Sequence, residues 1–184
     1  MQNTWKCCVL GILMMVSFSA CQLVPKAQGL VTTQWIAQQY QRQDQVEVQW
    51  KDHSFSFLLY QQQQGKNLDL LALSLTGQQL FKLQFDGQQV TVEQRIDAMK
   101  LLPFEFVVRD ILFATYPNFI QHPPEQVNVT QHLENVDVHI QDVEIQQRKV
   151  LSIRQTKAQI ELDNLQVPYH MVFSEVPNTL ENNE

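Results

Sequence analysis

The sequence predicts a mainly β domain carrying one apolar helix, on three observations. Apolar and polar residues alternate along most of the chain after Val46. Turn residues punctuate that alternation at short intervals, and one segment between Pro103 and Pro117 leaves the period of two for a helical stripe. No internal repeat is evident.

The N-terminus comes first. Lys6 is followed by the apolar run Val9 to Val16 and then by Phe18-Ser19-Ala20-Cys21. Charge, a short apolar core and small residues in that order form a secretory signal, and the run falls short of the ~20 residues a membrane span needs. The ending resembles the lipobox that bacterial lipoprotein signal peptidase reads, with Phe18 standing where that pattern usually has Leu. This implies cleavage before Cys21 and lipidation of its thiol. Cys7 and Cys8 leave with the signal, so no thiol remains for a disulfide, a metal or a nucleophile. The expected divisions are a signal peptide over 1–20, a lipidated tether over 21–32, one domain over 33–176 and a polar acidic tail over 177–184. The formal net charge is -6, with acidic residues dispersed, so nucleic acid is not an expected partner.

Thr32-Thr33 offer a cap for a short helix over residues 34–40. Val46, Val48 and Trp50 begin a first strand, and Phe55, Phe57 and Leu59 a second, with Gln61 to Lys66 as a polar turn. Leu68 to Leu75 form a third strand, closed by Thr76-Gly77. Phe81, Leu83 and Phe85 lead through Asp86-Gly87 to Val90 and Val92, a hairpin with the residue pair that suits a type I′ turn. Pro103 opens a helix and Pro117 ends it. Phe104, Val107, Val108, Ile111 and Leu112 form its stripe, and a solvated Glu105–Arg109 pair at i, i+4 is expected. After a loop over residues 118–131, Val136, Val138 and Ile140 resume the alternation. Strands follow near Val150 to Arg154, Ala158 to Leu162 and Val167 to Val176, with Tyr169, Met171 and Phe173 sharing a face.

A lipidated cysteine, consecutive antiparallel strands, one apolar helix beginning at proline and a second antiparallel set resemble the LolA/LolB lipoprotein-carrier fold. There a curved sheet forms an incomplete barrel, plugged by helices around an apolar cavity. The segment from Thr76 to Gly87, the Leu102-Pro103 helix start and the Tyr116-Pro117 helix end also resemble a family of uncharacterised periplasm-facing lipoproteins, often encoded beside aryl polyene biosynthesis genes. LolB carries an exposed Leu immediately before a loop Gly. Here Thr76 precedes Gly77, so that membrane-insertion role is not carried over.

Five histidines, His53, His122, His132, His139 and His170, are scattered without metal-ligand spacing. No serine sits in a Gly-x-Ser-x-Gly setting, and the glycines belong to turns rather than to a phosphate loop. Neither an enzyme nor a cofactor is therefore expected. The resemblance implies instead an apolar pocket lined by Trp50, Phe57, Phe81, Leu83, Phe85, Val107, Ile111, Phe113, Met171 and Phe173. The expectation is an outer-membrane lipoprotein facing the periplasm. It would bind or transfer an apolar lipid-like molecule, such as an aryl polyene lipid or a lipoprotein's acyl chains, received from a periplasmic carrier. The alternative is a structural or assembly lipoprotein that binds a protein through its sheet edges.

Overall fold

The computed structural model describes residues 26–32, 35–119 and 121–177. The signal peptide, Cys21 and nearly all of the acidic tail lie outside the described residues. Ten strands form one antiparallel sheet: β1 (Gln41–Trp50), β2 (His53–Gln64), β3 (Asn67–Ser74), β4 (Gln79–Phe85), β5 (Val90–Arg95), β6 (Val127–Asn135), β7 (Val138–Ile145), β8 (Arg148–Gln155), β9 (Ile160–Asn164) and β10 (Tyr169–Glu175). Their spatial order is β5-β4-β3-β2-β1-β10-β9-β8-β7-β6. The first and last strands thus meet in the middle, with Val46 opposite Phe173 and Val48 opposite Met171. The free edges are β5 and β6, and the sheet does not close: it is an incomplete barrel.

This topology explains where the helix goes. The chain must travel from one free edge to the other, and α1 (Phe104–Thr115) makes that crossing over the sheet's inner face. The inner face is apolar because every second residue is: Val46 and Leu59, Leu68 and Leu70, Leu83 and Phe85 are all fully buried. Phe104, Val108, Ile111 and Leu112 of α1 pack against it, with the Phe104 ring 5.3 Å from that of Phe81. Each such side chain contributes about 1.5–3 kcal/mol. No helix among the described residues is long and apolar enough to cross a membrane.

Several expectations are corrected. Residues 35–40 are not helical. They run extended because they are tied to separate elements: the Trp35 indole N–H donates to the Lys66 carbonyl at 2.9 Å, Gln38 to the Pro117 carbonyl at 2.6 Å, and the Tyr40 hydroxyl to the Thr115 carbonyl at 3.2 Å. A helix rising ~1.5 Å per residue would not reach all three. Gln61 to Gln64 belong to β2 rather than to a turn, and Gln61 is buried opposite Leu70. The Asp86-Gly87 turn is not type I′, since of the two only Gly87 has positive φ. Instead the Asp86 carboxylate accepts from the backbone N–H groups of Gln88 and Gln89, both at 2.8 Å. The two-residue turn with both φ positive is Gln146-Gln147, between β7 and β8.

The expected loop over 118–131 contains the start of β6. Val136 lies in a turn and is almost fully exposed, while Gln141, Val143 and Ile145 form the buried face of β7. Gln141 is admitted to that face because its amide donates to the Phe113 carbonyl at 3.2 Å. The packed structure also begins earlier than the expected tether allows. Ala27 and Leu30 are buried, and Gly29 lies so close to Ile145 that a Cβ there would stand 2.8 Å from its Cδ1.

Candidate functional site: a cleft beside the helix C-terminus

The turns of a meander fall alternately at two ends of the sheet. At the end holding the β2–β3, β4–β5, β6–β7 and β8–β9 turns, the C-terminal half of α1 stands away from β6 to β9. The space between is an open cleft of about 580 Å³. Phe113, Leu133, Ile140, Ile153 and Ile160 supply its apolar lining, and Arg42, His132, His139, Gln131 and Gln155 its polar lining. A neighbouring recess of about 500 Å³ shares Arg42, His139, Gln155 and Ile160 with it.

Arg42 is held at the cleft by a two-pronged bond to Asp44, Nε to Oδ2 at 2.8 Å and Nη2 to Oδ1 at 2.7 Å. Burial lowers the Arg42 pKa, but the bond to Asp44 and the attraction of its charge outweigh this, and the net shift is upward. At Asp44, by contrast, burial prevails, and the carboxyl is pushed above its ordinary value despite the bond from Arg42. Arg42 also reaches Glu175 at 3.3 Å, so one guanidinium joins β1 to the end of β10 beside the opening.

A second polar group lies deeper. Arg109 and Asp110 are buried, and the expected Glu105–Arg109 pair is replaced by Arg109 Nε on Asp110 Oδ1 at 2.7 Å. Asn164 donates to Asp110 Oδ2 at 2.6 Å, and the Tyr169 hydroxyl donates to the same oxygen. Burial raises the Tyr169 hydroxyl far above its ordinary range, and the neighbouring Asp110 charge adds to this. Arg109 Nη1 donates to the Gln28 carbonyl at 3.2 Å, while Glu105 accepts from the Ala27 N–H at 3.0 Å. The segment around Ala27 therefore takes Glu105 as a partner, and Arg109 turns inward to Asp110. This cluster ties α1 to β9, β10 and the N-terminal segment. It is structural polar chemistry, without a metal arrangement: no group of three His, Cys, Asp or Glu that could hold an ion occurs among the described residues.

The expected pocket residues divide. Phe57, Phe81, Leu83, Phe85, Ile111, Met171 and Phe173 are buried in the continuous core between α1 and the sheet. Phe57 meets Phe81 at 6.1 Å between ring centroids, and Phe85 meets Trp35 at 5.0 Å. Val107 is half-buried, and Trp50 is exposed at the end opposite the cleft. Of the ten, Phe113 alone lines the cleft described above. The sequence reading missed Arg42, His132, His139, Ile153 and Ile160. The two isoleucines, buried at the cleft's floor, were legible as strand residues, but nothing local marks which strand residues border the cleft.

Fold and cleft together define a class: a one-sheet antiparallel half-barrel, crossed by one helix, with a mixed apolar and polar opening at one end. The chain belongs to the family described as protein of unknown function (DUF3261), whose model matches residues 41–177. No curated protein matches it. The matched span starts at β1 and ends just past β10, so it covers the whole sheet and α1.

Proposed function

We propose that this protein is a lipid-anchored, periplasm-facing lipoprotein of the outer membrane that binds the apolar chain of an amphiphile in the cleft beside α1. The observation that carries the reading is the cleft itself. Its volume of about 580 Å³ lies within the ~300–1,000 Å³ of small-molecule sites, and it combines an aliphatic wall with a polar rim of Arg42, His132, His139, Gln131 and Gln155. An acyl or polyene chain would gain ~0.8 kcal/mol per buried CH₂ along Leu133 and Ile140, the more exposed aliphatic side chains of the cleft. The half-barrel architecture supports a likeness to LolA/LolB carriers, and the aryl polyene association suggests one source of such a chain. The anchor rests on the lipobox-like ending at Cys21, and outer-membrane sorting on Gln22, where enterobacteria-like retention signals have Asp. No catalytic step is proposed.

The test is titration of a fluorescent fatty acid into the mature protein. Saturable binding that is lost in Ile140→Trp is the expected outcome. Absence of saturable binding overturns the reading. A second reading, partner binding by strand addition, draws support from β6, a nine-residue free edge with no lysine or proline to guard it.

A further inference from the structure

The exposed large apolar side chains among the described residues are concentrated at one end of the sheet, with Val31, Ile36, Val92, Leu133 and Val136 lying elsewhere. At the end of the sheet opposite the cleft lie the β1–β2, β3–β4 and β9–β10 turns and the β5–α1 connection, together with the polar Gln146-Gln147 turn between β7 and β8. This end carries Trp50, Phe55, Leu75, Leu101, Leu165 and Val167, all exposed. Register shows that they share a rim: Trp50 is paired with both His53 and Tyr169, Tyr169 with Asn164, and Phe57 with Ser74. Leu101 is 96% exposed, Leu75 59% and Leu165 53%. The cleft end differs, since its turns are Gly65-Lys66, Asp86 to Gln89, Val136-Asp137 and Thr156 to Gln159, polar but for Val136 and Ala158.

Six apolar side chains from four separate connections at one rim are costly in water and have no fold-internal reason to be there. The N-terminal segment enters at the same end. Ala27 bonds to Glu105 in the first turn of α1, two residues after Pro103 and four after Leu101. Between Cys21 and the exposed Lys26 lie five residue steps, which span at most ~18 Å.

We propose that this rim is a membrane-docking surface whose partner is the lipid bilayer, with Trp50, Leu75, Leu101, Leu165 and Val167 seated at its interface. The proposal builds on the lipidation of Cys21, which would hold this end, and not the cleft end, within one short tether of the bilayer. Lys51 lies over the Trp50 ring at 5.2 Å, a neighbouring cation and aromatic of the kind that suits the head-group level. The arrangement orients the molecule: the apolar rim faces the membrane that anchors it and the cleft faces the periplasm.

The chain contains its own depth gauge. Cleavage before Cys21 removes Trp5, leaving Trp35 and Trp50. Trp50 is at the rim, while Trp35 bonds to Lys66 in the turn at the far end of β2. The twelve residues of β2 separate these ends by about 35 Å at ~3.3 Å per residue. The mature protein is reconstituted in phosphatidylethanolamine and phosphatidylglycerol vesicles with brominated acyl chains, as Trp35→Phe and as Trp50→Phe. Quenching of Trp50 with Trp35 unaffected is the expected result, and it is lost in Leu101→Asp/Leu165→Asp. Equal quenching of both tryptophans, quenching of Trp35 alone, or of neither, overturns the docking. If Trp35→Phe does not fold, an environment-sensitive dye on Leu165→Cys gives the same measurement, because lipid occupies the Cys21 thiol. Palmitate labelling is scored separately. Labelled protein with unquenched Trp50 refutes the docking alone, and unlabelled protein whose Trp50 is quenched on vesicle addition refutes the anchor alone.

Discussion

The Asp110 carboxylate accepts from Arg109, Asn164 and Tyr169 while being wholly buried, so its charge is supported entirely by protein groups. Removing that charge leaves Arg109 uncompensated in the interior, a change that costs about 3–5 kcal/mol. Asp110→Asn should therefore lower the urea midpoint by a large fraction of the protein's stability, and a shift near zero would contradict the geometry. Gln146 and Gln147 adopt φ of 52° and 64°. A left-handed non-glycine residue costs ~1–2 kcal/mol, and glycine's extra unfolded-state freedom returns ~0.5–1 of that, so Gln147→Gly should stabilise by roughly 0.5–1 kcal/mol in thermal unfolding. At Asp142 burial alone would raise the pKa, but Lys149 at 2.8 Å and Ser152 at 2.8 Å bring it below the ordinary value. A lowered folded pKa gives stability that is present above the unfolded value of about 3.9 and is lost as pH falls through the folded value. The stability difference between the protein and Asp142→Asn should accordingly shrink on acidification across that window.

Among the elements, α1 was the most legible. Pro103 is its N-cap and Pro117 follows its C-cap Tyr116, and of its expected apolar stripe Phe104, Val108, Ile111 and Leu112 are buried while Val107 is half-buried, with Arg109, Asp110 and Phe113 buried besides. What lies opposite each side chain was not legible. Leu83 and Ile111 are fully buried and in the continuous core, so Leu83→Trp and Ile111→Trp should overpack it and destabilise by about 1–3 kcal/mol. Ile140, half-buried at the cleft, should accept Trp with little loss of melting temperature. Equal effects at all three positions would mean that the core and the cleft are not distinct. The strand pattern itself was read from alternation for most of the sheet. It failed for β6, whose Val127-Asn128-Val129 start follows Pro123-Pro124 and whose remaining residues are exposed because an edge strand needs only half a face of apolar groups.

For the protein as a whole, the two ends are chemically unlike: exposed Trp50, Leu101 and Leu165 at one, and the cleft rimmed by Arg42, His132 and His139 at the other. That polarity suits the proposed anchored binding module, and it makes anchoring the first property to measure. Cells fed labelled palmitate should incorporate it into the wild-type chain and not into Cys21→Ala, which should accumulate as the uncleaved precursor. Absence of label in the wild type would remove the anchor from the proposal.

Local physical chemistry sufficed for the mainly β class, the antiparallel hairpins and the single helix, because side-chain alternation and proline punctuation act over a few residues and hold wherever the segment lies. Sheet order, the pairing of β1 with β10, the inward turn of Arg109 and the position of the cleft depend on residues far apart in the chain. Arg109 and Glu105 show the reason most plainly. Their i, i+4 spacing favours a pair by only ~0.2–0.5 kcal/mol, and the Ala27 N–H and the Asp110 carboxylate, offered by the packed structure, outbid it.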